Sequence, residues 1–283
     1  MLRGTLTVLL KTTHPLRGTL DRLLATFSGD FMVELGTPRS DGWYAARELA
    51  EHRHDVVQAC IVAILRAEGA DDRRVGASFF FKSYCAAIIG AGVAMALVER
   101  RVADFGIDNM HLHVSDAGGI DGIALTRASF AVLPDDSAAE YPDAVVMANE
   151  AELSEYLLTR AVDEHLAYTV EAWRPVLRLG KPALWGLAAD ADAGFAMFIL
   201  EQLRQTERCD DLIPALLDRP QLRGAGVIWL DVDGTRYPVL KRAACCFAYR
   251  SPNYPHCDTC PLLSEEEREE RMREFLREHP DLH

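Results

Sequence analysis

Residues 241–263, KRAACCFAYRSPNYPHCDTCPLL, decide how the C-terminal part of the chain folds, because four of them are cysteines in an unusual order. Cys245 and Cys246 are adjacent, and Cys257 and Cys260 follow them in the pattern C-C-x10-C-x2-C. Four thiols this close in sequence can complete a metal site or an iron–sulfur site. The segment is therefore the first candidate for the chemistry of this protein.

The spacing of the thiols favours one kind of centre. Two residues between Cys257 and Cys260 let both sulfurs reach one metal. The adjacent pair requires a turned or bulged backbone, because neighbouring side chains on a regular strand point to opposite faces. Structural zinc sites with four thiolates usually contain two spaced pairs. A [2Fe–2S] cluster is thus preferred, in the simplest arrangement with the adjacent pair on one iron and the spaced pair on the other. Zinc and a redox thiol pair stay open.

Regular structure is predicted on both sides of the cysteines. Residues 227–240, VIWLDVDGTRYPVL, form two apolar runs around Asp-Gly, which is a strong hairpin signal. Ser264 and Glu267 fit a capping box at the start of an acidic, helical sequence. The cysteine loop is therefore expected between a hairpin and a capped C-terminal helix.

The rest of the chain has mainly helical periodicity. A second hairpin is predicted from residues 107–113 and 123–133, which flank the turn sequence SDAGGIDG, and a loop follows over 134–142. We predict an α+β fold, with a helix-rich body at residues 1–240, small antiparallel sheets and an iron–sulfur segment at residues 241–283. The predicted body helices are 47–67, 78–98, 152–178 with an interruption near Pro175, and 188–204.

Composition limits the class of protein. The chain has 283 residues, 49% of them hydrophobic, so a core can form without disulfides. A formal net charge of -13 argues against a nucleic-acid binder. The apolar stretch 6–10 is too short for a secretory signal, and the uncharged stretch 83–98 is too short for a membrane span. We expect a cytoplasmic protein, and peripheral contact with the inner face of the cell membrane stays open.

The remaining three cysteines are interpreted separately. In a reducing compartment, clustered cysteines are more often ligands than disulfides. Cys60 and Cys85 lie in apolar helical sequence and are predicted to be buried, whereas Cys209 lies in the charged stretch TERCDD and is predicted to be exposed.

The cysteine pattern resembles the C-terminal motif of the FhuF-type ferric siderophore reductases. FKSYCAAIIGAGVAMALV (81–98) with IDNMHLHV (107–114) is similar to a central helix-then-strand segment of that family, and KPALWGLAADADAGF (181–195) to its Leu-Trp-Gly helix start. The resemblance implies that Cys245, Cys246, Cys257 and Cys260 hold a [2Fe–2S] cluster. It also implies one-electron reduction of a ferric siderophore, of the hydroxamate type, with release of Fe(II).

The resemblance leaves partners and rival functions to be tested. Arg242, Tyr249, Arg250 and His256 are candidates for docking the substrate or an electron donor, such as a ferredoxin or a flavin/NAD(P)H reductase. With Lys241 they make the segment locally basic, although a solvated loop would have the same composition. The alternatives are a zinc-stapled siderophore-binding protein without redox activity and an electron-transfer protein with another acceptor.

Overall fold

Helices make up most of the computed structural model, which describes residues 14–27 and 31–279. The apolar stretch 6–10 lies outside the described residues. Two long helices, Arg73–Glu99 and 150–177, contain π-helical turns. These turns cover Ala86–Gly90 and Met95–Glu99 in the first helix and Leu158–Leu166 in the second. In the described ranges the helices longer than one turn are α1 (Pro15–Phe27), α2 (Ala46–Glu51), α3 (His54–Glu68), α4 (Arg73–Glu99), α5 (150–177), α6 (Lys181–Gln202), α7 (Cys209–Leu216) and α8 (Glu265–Glu278).

The strands form three small sheets. The first has the order β1-β5-β4-β2, in which β1 and β5 are parallel and the other pairs antiparallel. The second has the order β3-β6-β7, and β8 with β9 forms a hairpin. The α+β prediction is confirmed. The strands are β1 (Met32–Leu35), β2 (Trp43–Ala45), β3 (Arg101–Ala103), β4 (Met110–Val114), β5 (Ile120–Leu125), β6 (Phe130–Val132), β7 (Ala144–Val146), β8 (Gly226–Val232) and β9 (Thr235–Lys241).

Both hairpins predicted from turn residues are present. β4 and β5 pair antiparallel with Met110 opposite Leu125, but the chain then leaves this sheet, and Phe130–Val132 joins β3 instead. In the β8–β9 hairpin the turn residues Asp233 and Gly234 both have positive φ, 51° and 87°, as the favoured two-residue turn requires.

The two most apolar helices, α4 and α6, pack against each other in the centre of the body. Both are long and apolar enough to cross a membrane, a test that buried helices of soluble cores also pass. More than half of the most apolar window of each, 56% and 67%, is buried inside the fold. The buried helix predicted over 78–98 is thus confirmed, and it begins at Arg73 because the Asp72 side chain accepts a hydrogen bond from Arg74 N at 3.0 Å.

Three further details of the predicted helices were wrong. The helix predicted over 47–67 is two helices, and the imidazole Nε2 of His54 bonds to the Ala50 carbonyl at the break, at 2.9 Å. Pro175 lies inside α5, near its C-terminal end, so it does not interrupt the helix. The helix predicted from residue 188 begins at Lys181, where Pro182 suits the first turn.

The C-terminal helix α8 packs on the β8–β9 hairpin. A small core of Leu230, Val232, Tyr237, Val239 and Leu276 joins them, separate from the main core. Ser264 Oγ accepts a hydrogen bond from Glu267 N at 3.1 Å, which confirms the predicted cap. The cysteine segment between them contacts the main core instead, through Ala244 and Cys246. A domain boundary at residue 240 stays a prediction.

Candidate iron–sulfur site

Helix α6 anchors the start of the cysteine segment. The carboxylate of Asp190 accepts hydrogen bonds from Ala243 N at 2.5 Å and from Ala244 N at 3.3 Å. One turn earlier, Gly186 allows the segment to come close, since a Cβ at this position would lie 2.7 Å from the Cβ of Ala244. The first turns of α6, which include the Leu-Trp-Gly sequence, therefore hold Ala243 and Ala244, the two residues directly before the adjacent cysteine pair.

The backbone turns at the adjacent cysteine pair. Phe247 has a φ of 60°, and a single 3-10 turn, Ala248–Arg250, follows it. Phe247 N lies 3.3 Å from Cys245 Sγ, the distance of an N–H···S hydrogen bond. On the other side, Ser78 Oγ of α4 donates to the Cys246 carbonyl at 2.5 Å. These contacts give the turned backbone that adjacent ligands require.

Hydrogen bonds to helices α3 and α8 position the loop that carries Cys257 and Cys260. Ser251 Oγ and Asn253 Nδ2 donate to the carbonyl of Glu68 at the end of α3, at 2.8 and 2.9 Å. Arg271 of α8 donates to the His256 carbonyl at 3.3 Å. Within the turn, Cys260 N donates to the Cys257 carbonyl at 2.9 Å. The loop is thus tied to both the body and the terminal helix.

The four thiols come close enough to affect one another. The Cys246 thiol and burial raise the pKa of Cys257, and burial, with smaller effects from Cys260 and Cys246, raises the pKa of Cys245. Cys246 and Cys260 are buried, and Cys245 and Cys257 are half-buried. Which two cysteines would share an iron stays a prediction.

The four neighbouring cysteines are the donor set that a [2Fe–2S] cluster takes. A tetrahedral zinc site needs four ligands around one point, whereas a [2Fe–2S] cluster has four thiolates divided between two irons.

A buried arginine supplies the positive charge of the site. The Arg242 side chain is only 8% exposed, and its Nε lies 3.1 Å from Asp190 Oδ2. Its Nη1 donates to Cys257 Sγ at 3.2 Å and lies 3.7 Å from Cys246 Sγ. The hydrogen bond from the Cys257 thiol lowers the pKa of Cys246 to about 4, and Arg242 acts in the same direction against the effect of burial. The site thus favours a thiolate at Cys246.

The other docking candidates lie together outside the thiols. The rings of Tyr249 and His256 stack with centroids 4.4 Å apart, and Arg250 Nε donates to the Tyr249 hydroxyl at 3.1 Å. Arg250 is 40% exposed and pairs with Asp72 at 3.2 Å. Arg242 was expected to dock the substrate or an electron donor at the surface. Its guanidinium instead contacts Asp190 and the thiols of Cys246 and Cys257.

Two contributors were missed by sequence analysis. Asp190 and Ser78 come from helices far away in the chain, and only the two acids, Asp190 and Asp192, in the apolar run ALWGLAADADAG signalled an unusual site. Cys60 and Cys85 are buried as predicted, but the prediction for Cys209 was wrong. Cys209 is the first residue of α7 and lies on the same buried face as Ile213 and Leu216.

A separate cavity lies away from the cysteines. It measures about 310 Å³ and lies between α1, α4, α6 and the first sheet. Among the described residues that line it, none is charged and none belongs to the cysteine segment. The cavity therefore brings no ionisable group to the thiols.

Comparisons with known proteins agree with this site. The family model described as ferric iron reductase FhuF-like transporter matches residues 78–225, slightly more than half of the chain. The model described as FhuF 2Fe-2S C-terminal domain matches residues 242–262, which include Arg242 and all four clustered cysteines. No curated protein matches the chain.

Proposed function

Because this chain belongs to the FhuF-like ferric iron reductase family and its cofactor is a [2Fe–2S] cluster, we propose that it reduces ferric siderophores of the hydroxamate type by one electron. Hydroxamate oxygens are hard donors that hold Fe(III) tightly, and reduction to Fe(II) weakens these bonds. The iron then passes to other ligands. The reaction requires no general base or nucleophile from the protein.

Cys245, Cys246, Cys257 and Cys260 are the ligands in this proposal. The observation that carries it is that all four lie in one loop fixed by Asp190, Ser78 and Arg271. When bound, the cluster supplies one electron at a time. Cys245 and Cys257 are half-buried, so they form the side of the site nearest to an incoming ferric complex.

The surface around the loop has a role in this proposal as well. Arg250, Tyr249 and His256 form the rim on which the ferric siderophore or the donor would rest. Lys82 and Lys241 add exposed positive charge, and the field of Lys82 reaches Cys246. In a chain of net charge -13, such a local basic surface suits an acidic donor such as a ferredoxin. A flavin/NAD(P)H reductase is the alternative donor.

We place the reaction in the cytoplasm, where reduced donors are available to an imported ferric siderophore. Contact with the inner face of the cell membrane stays a prediction.

The test is a single-turnover reduction. The anaerobic, cluster-loaded protein is reduced, freed of excess reductant and mixed with ferric hydroxamate siderophores in the presence of an Fe(II) chelator. We expect one Fe(II)–chelator complex per oxidised cluster. A protein that holds its electron in the presence of every ferric siderophore tested, but passes it to another acceptor, would be an electron-transfer protein instead. A protein that binds ferric siderophores with zinc in the loop would be the non-redox carrier.

A further inference from the structure

Arg242 is held in an unusual environment for a cation. It contacts one carboxylate, Asp190, and two thiols, Cys246 and Cys257, and water reaches little of it. Although burial opposes its charge, the thiolate of Cys246 and the carboxylate of Asp190 raise the pKa of Arg242, so it stays protonated. Its charge is therefore permanent and close to the sulfur atoms.

One nitrogen of this guanidinium is left without a partner. Arg242 Nη2 is buried and has no hydrogen-bond acceptor among the described residues. A buried N–H without an acceptor is costly, and native structures rarely leave one. The neighbouring Nη1 already points to Cys257 Sγ. When a cluster is bound by these cysteines, its sulfur atoms would be acceptors of the type that Nη2 lacks.

The opposite charge pairs with another nitrogen, Nε, of the same guanidinium. Asp190 is 5% exposed at its side chain and accepts from Arg242 Nε and two backbone amides. Burial raises the pKa of Asp190, and the amide of Ala243 and the charge of Arg242 oppose this effect. The cation thus contacts two of the thiols directly, and the anion balances part of its charge.

We propose that Arg242 and Asp190 act as an opposed pair that sets the reduction potential of the cluster. Reduction adds one negative charge to the cluster, so the nearby buried cation favours the reduced form, while Asp190 disfavours it. Arg242 is a positioning and tuning residue in this account, and it does not contact substrate. The inference rests on the ligand assignment of the proposed function.

Variants of the two residues should shift the potential in opposite directions. Arg242→Gln removes the cation, and we expect at least a tenfold loss in the equilibrium constant for reduction, which for one electron is about 59 mV. Asp190→Asn removes the anion and keeps an oxygen that can accept from Ala243 N, so the potential should rise. Arg242→Lys keeps the charge and loses the fork of N–H donors, so its potential should lie between those of Arg242→Gln and the parent.

A matched control comes from the same segment. Arg250→Gln removes an equal charge from an arginine that is 40% exposed and paired with Asp72. Because water screens this site, we expect a shift of less than threefold in the same equilibrium constant.

The measurement is a redox titration of the full, cluster-loaded chain followed by EPR, without any siderophore. Opposite shifts for Arg242→Gln and Asp190→Asn support the proposal. A loaded Arg242→Gln protein with an unchanged potential, or shifts in the same direction, would overturn it. Should Arg242→Gln fail to hold a cluster, Asp190→Asn decides, since an unchanged or lower potential rejects the pair. No siderophore takes part, so failure of siderophore reduction would be seen separately.

Discussion

Ser78 Oγ donates a hydrogen bond to the Cys246 carbonyl at 2.5 Å and so joins the buried helix α4 to the adjacent cysteine pair. Both groups are shielded from water, because Ser78 is fully buried and Cys246 is 5% exposed. The contact fixes the backbone at the point where it must turn to present adjacent thiols. The stability of the site therefore depends on a residue 168 positions away in sequence.

Ser78→Ala should weaken the cysteine loop. The Cys246 carbonyl would lose its donor in a buried place, at a cost of about 1–3 kcal/mol. We expect a lower Tm and faster thermal bleaching of the cluster. Ser137→Ala is the matched control, because Ser137 lies in the exposed 134–142 loop and should leave both unchanged. Equal behaviour of the two variants would contradict the structural role of Ser78.

Gly186→Ala should disturb cluster loading. The new methyl group would lie 2.7 Å from Ala244 Cβ, so α6 and the cysteine segment must separate. Gly194→Ala is the control on the same helix, where the added Cβ meets Leu240 at an ordinary 3.6 Å. The control should gain up to about 1 kcal/mol from helix propensity.

Iron and sulfide content and the Tm of both glycine variants provide the measurement. Full loading of Gly186→Ala at parental stability would contradict the close packing of α6 on the cysteine segment.

Arg250→Glu should slow electron transfer from an acidic donor. The substitution reverses an exposed charge at the rim of the loop, and oppositely charged partners lose association rate when one charge is reversed. With a reduced ferredoxin we expect a fall of roughly tenfold at low ionic strength, shrinking as salt is added. Stopped-flow oxidation of the ferredoxin measures it. Glu278→Arg, on the exposed end of α8, is a charge-reversal control that should not slow transfer.

The buried histidine of the body predicts a dependence of stability on pH. Burial lowers the pKa of His165 to about 4, while its Nδ1–H donates to the Phe105 carbonyl at 2.9 Å and its Nε2 accepts from Tyr84 at 2.7 Å. Because the unfolded state binds a proton near pH 6.5 and the folded state does not, this contribution is complete above pH 6.5 and is lost as pH falls towards 4. The loss amounts to about 3 kcal/mol.

Denaturant unfolding at pH 7 and pH 4.5 checks this effect. The stability difference between the parent and His165→Gln should shrink at the lower pH. His52→Gln, at a side chain that is 72% exposed, is the surface control. A difference that is constant across this range would contradict the assignment.

Sequence patterns identified the parts of this fold that depend on local chemistry. The Asp-Gly hairpin, the Ser264 cap and the buried helix α4 each follow from neighbouring residues, and each is present. The break between α2 and α3 was missed, because the bond of His54 to the Ala50 carbonyl competes with an otherwise continuous helical pattern.

The candidate site was predictable only in its ligands. The spacing of the cysteines indicated four thiols but not their hydrogen-bond partners, because these depend on how the loop folds in space. Asp190 and Ser78 reach the loop through tertiary packing, which leaves no local signal in sequence. The prediction for Cys209 failed because its neighbours Asp210 and Asp211 are exposed while Cys209 itself faces the core.

The most direct test of the account is the metal and sulfide content of anaerobically purified protein, read beside its visible and EPR spectra. We predict two irons and two acid-labile sulfides per chain, and an EPR signal of one unpaired electron after reduction by dithionite. Cys257→Ser should lose this content, and Cys209→Ala should keep it. Zinc in place of iron, or a protein that cannot be loaded with sulfide, would contradict the central claim.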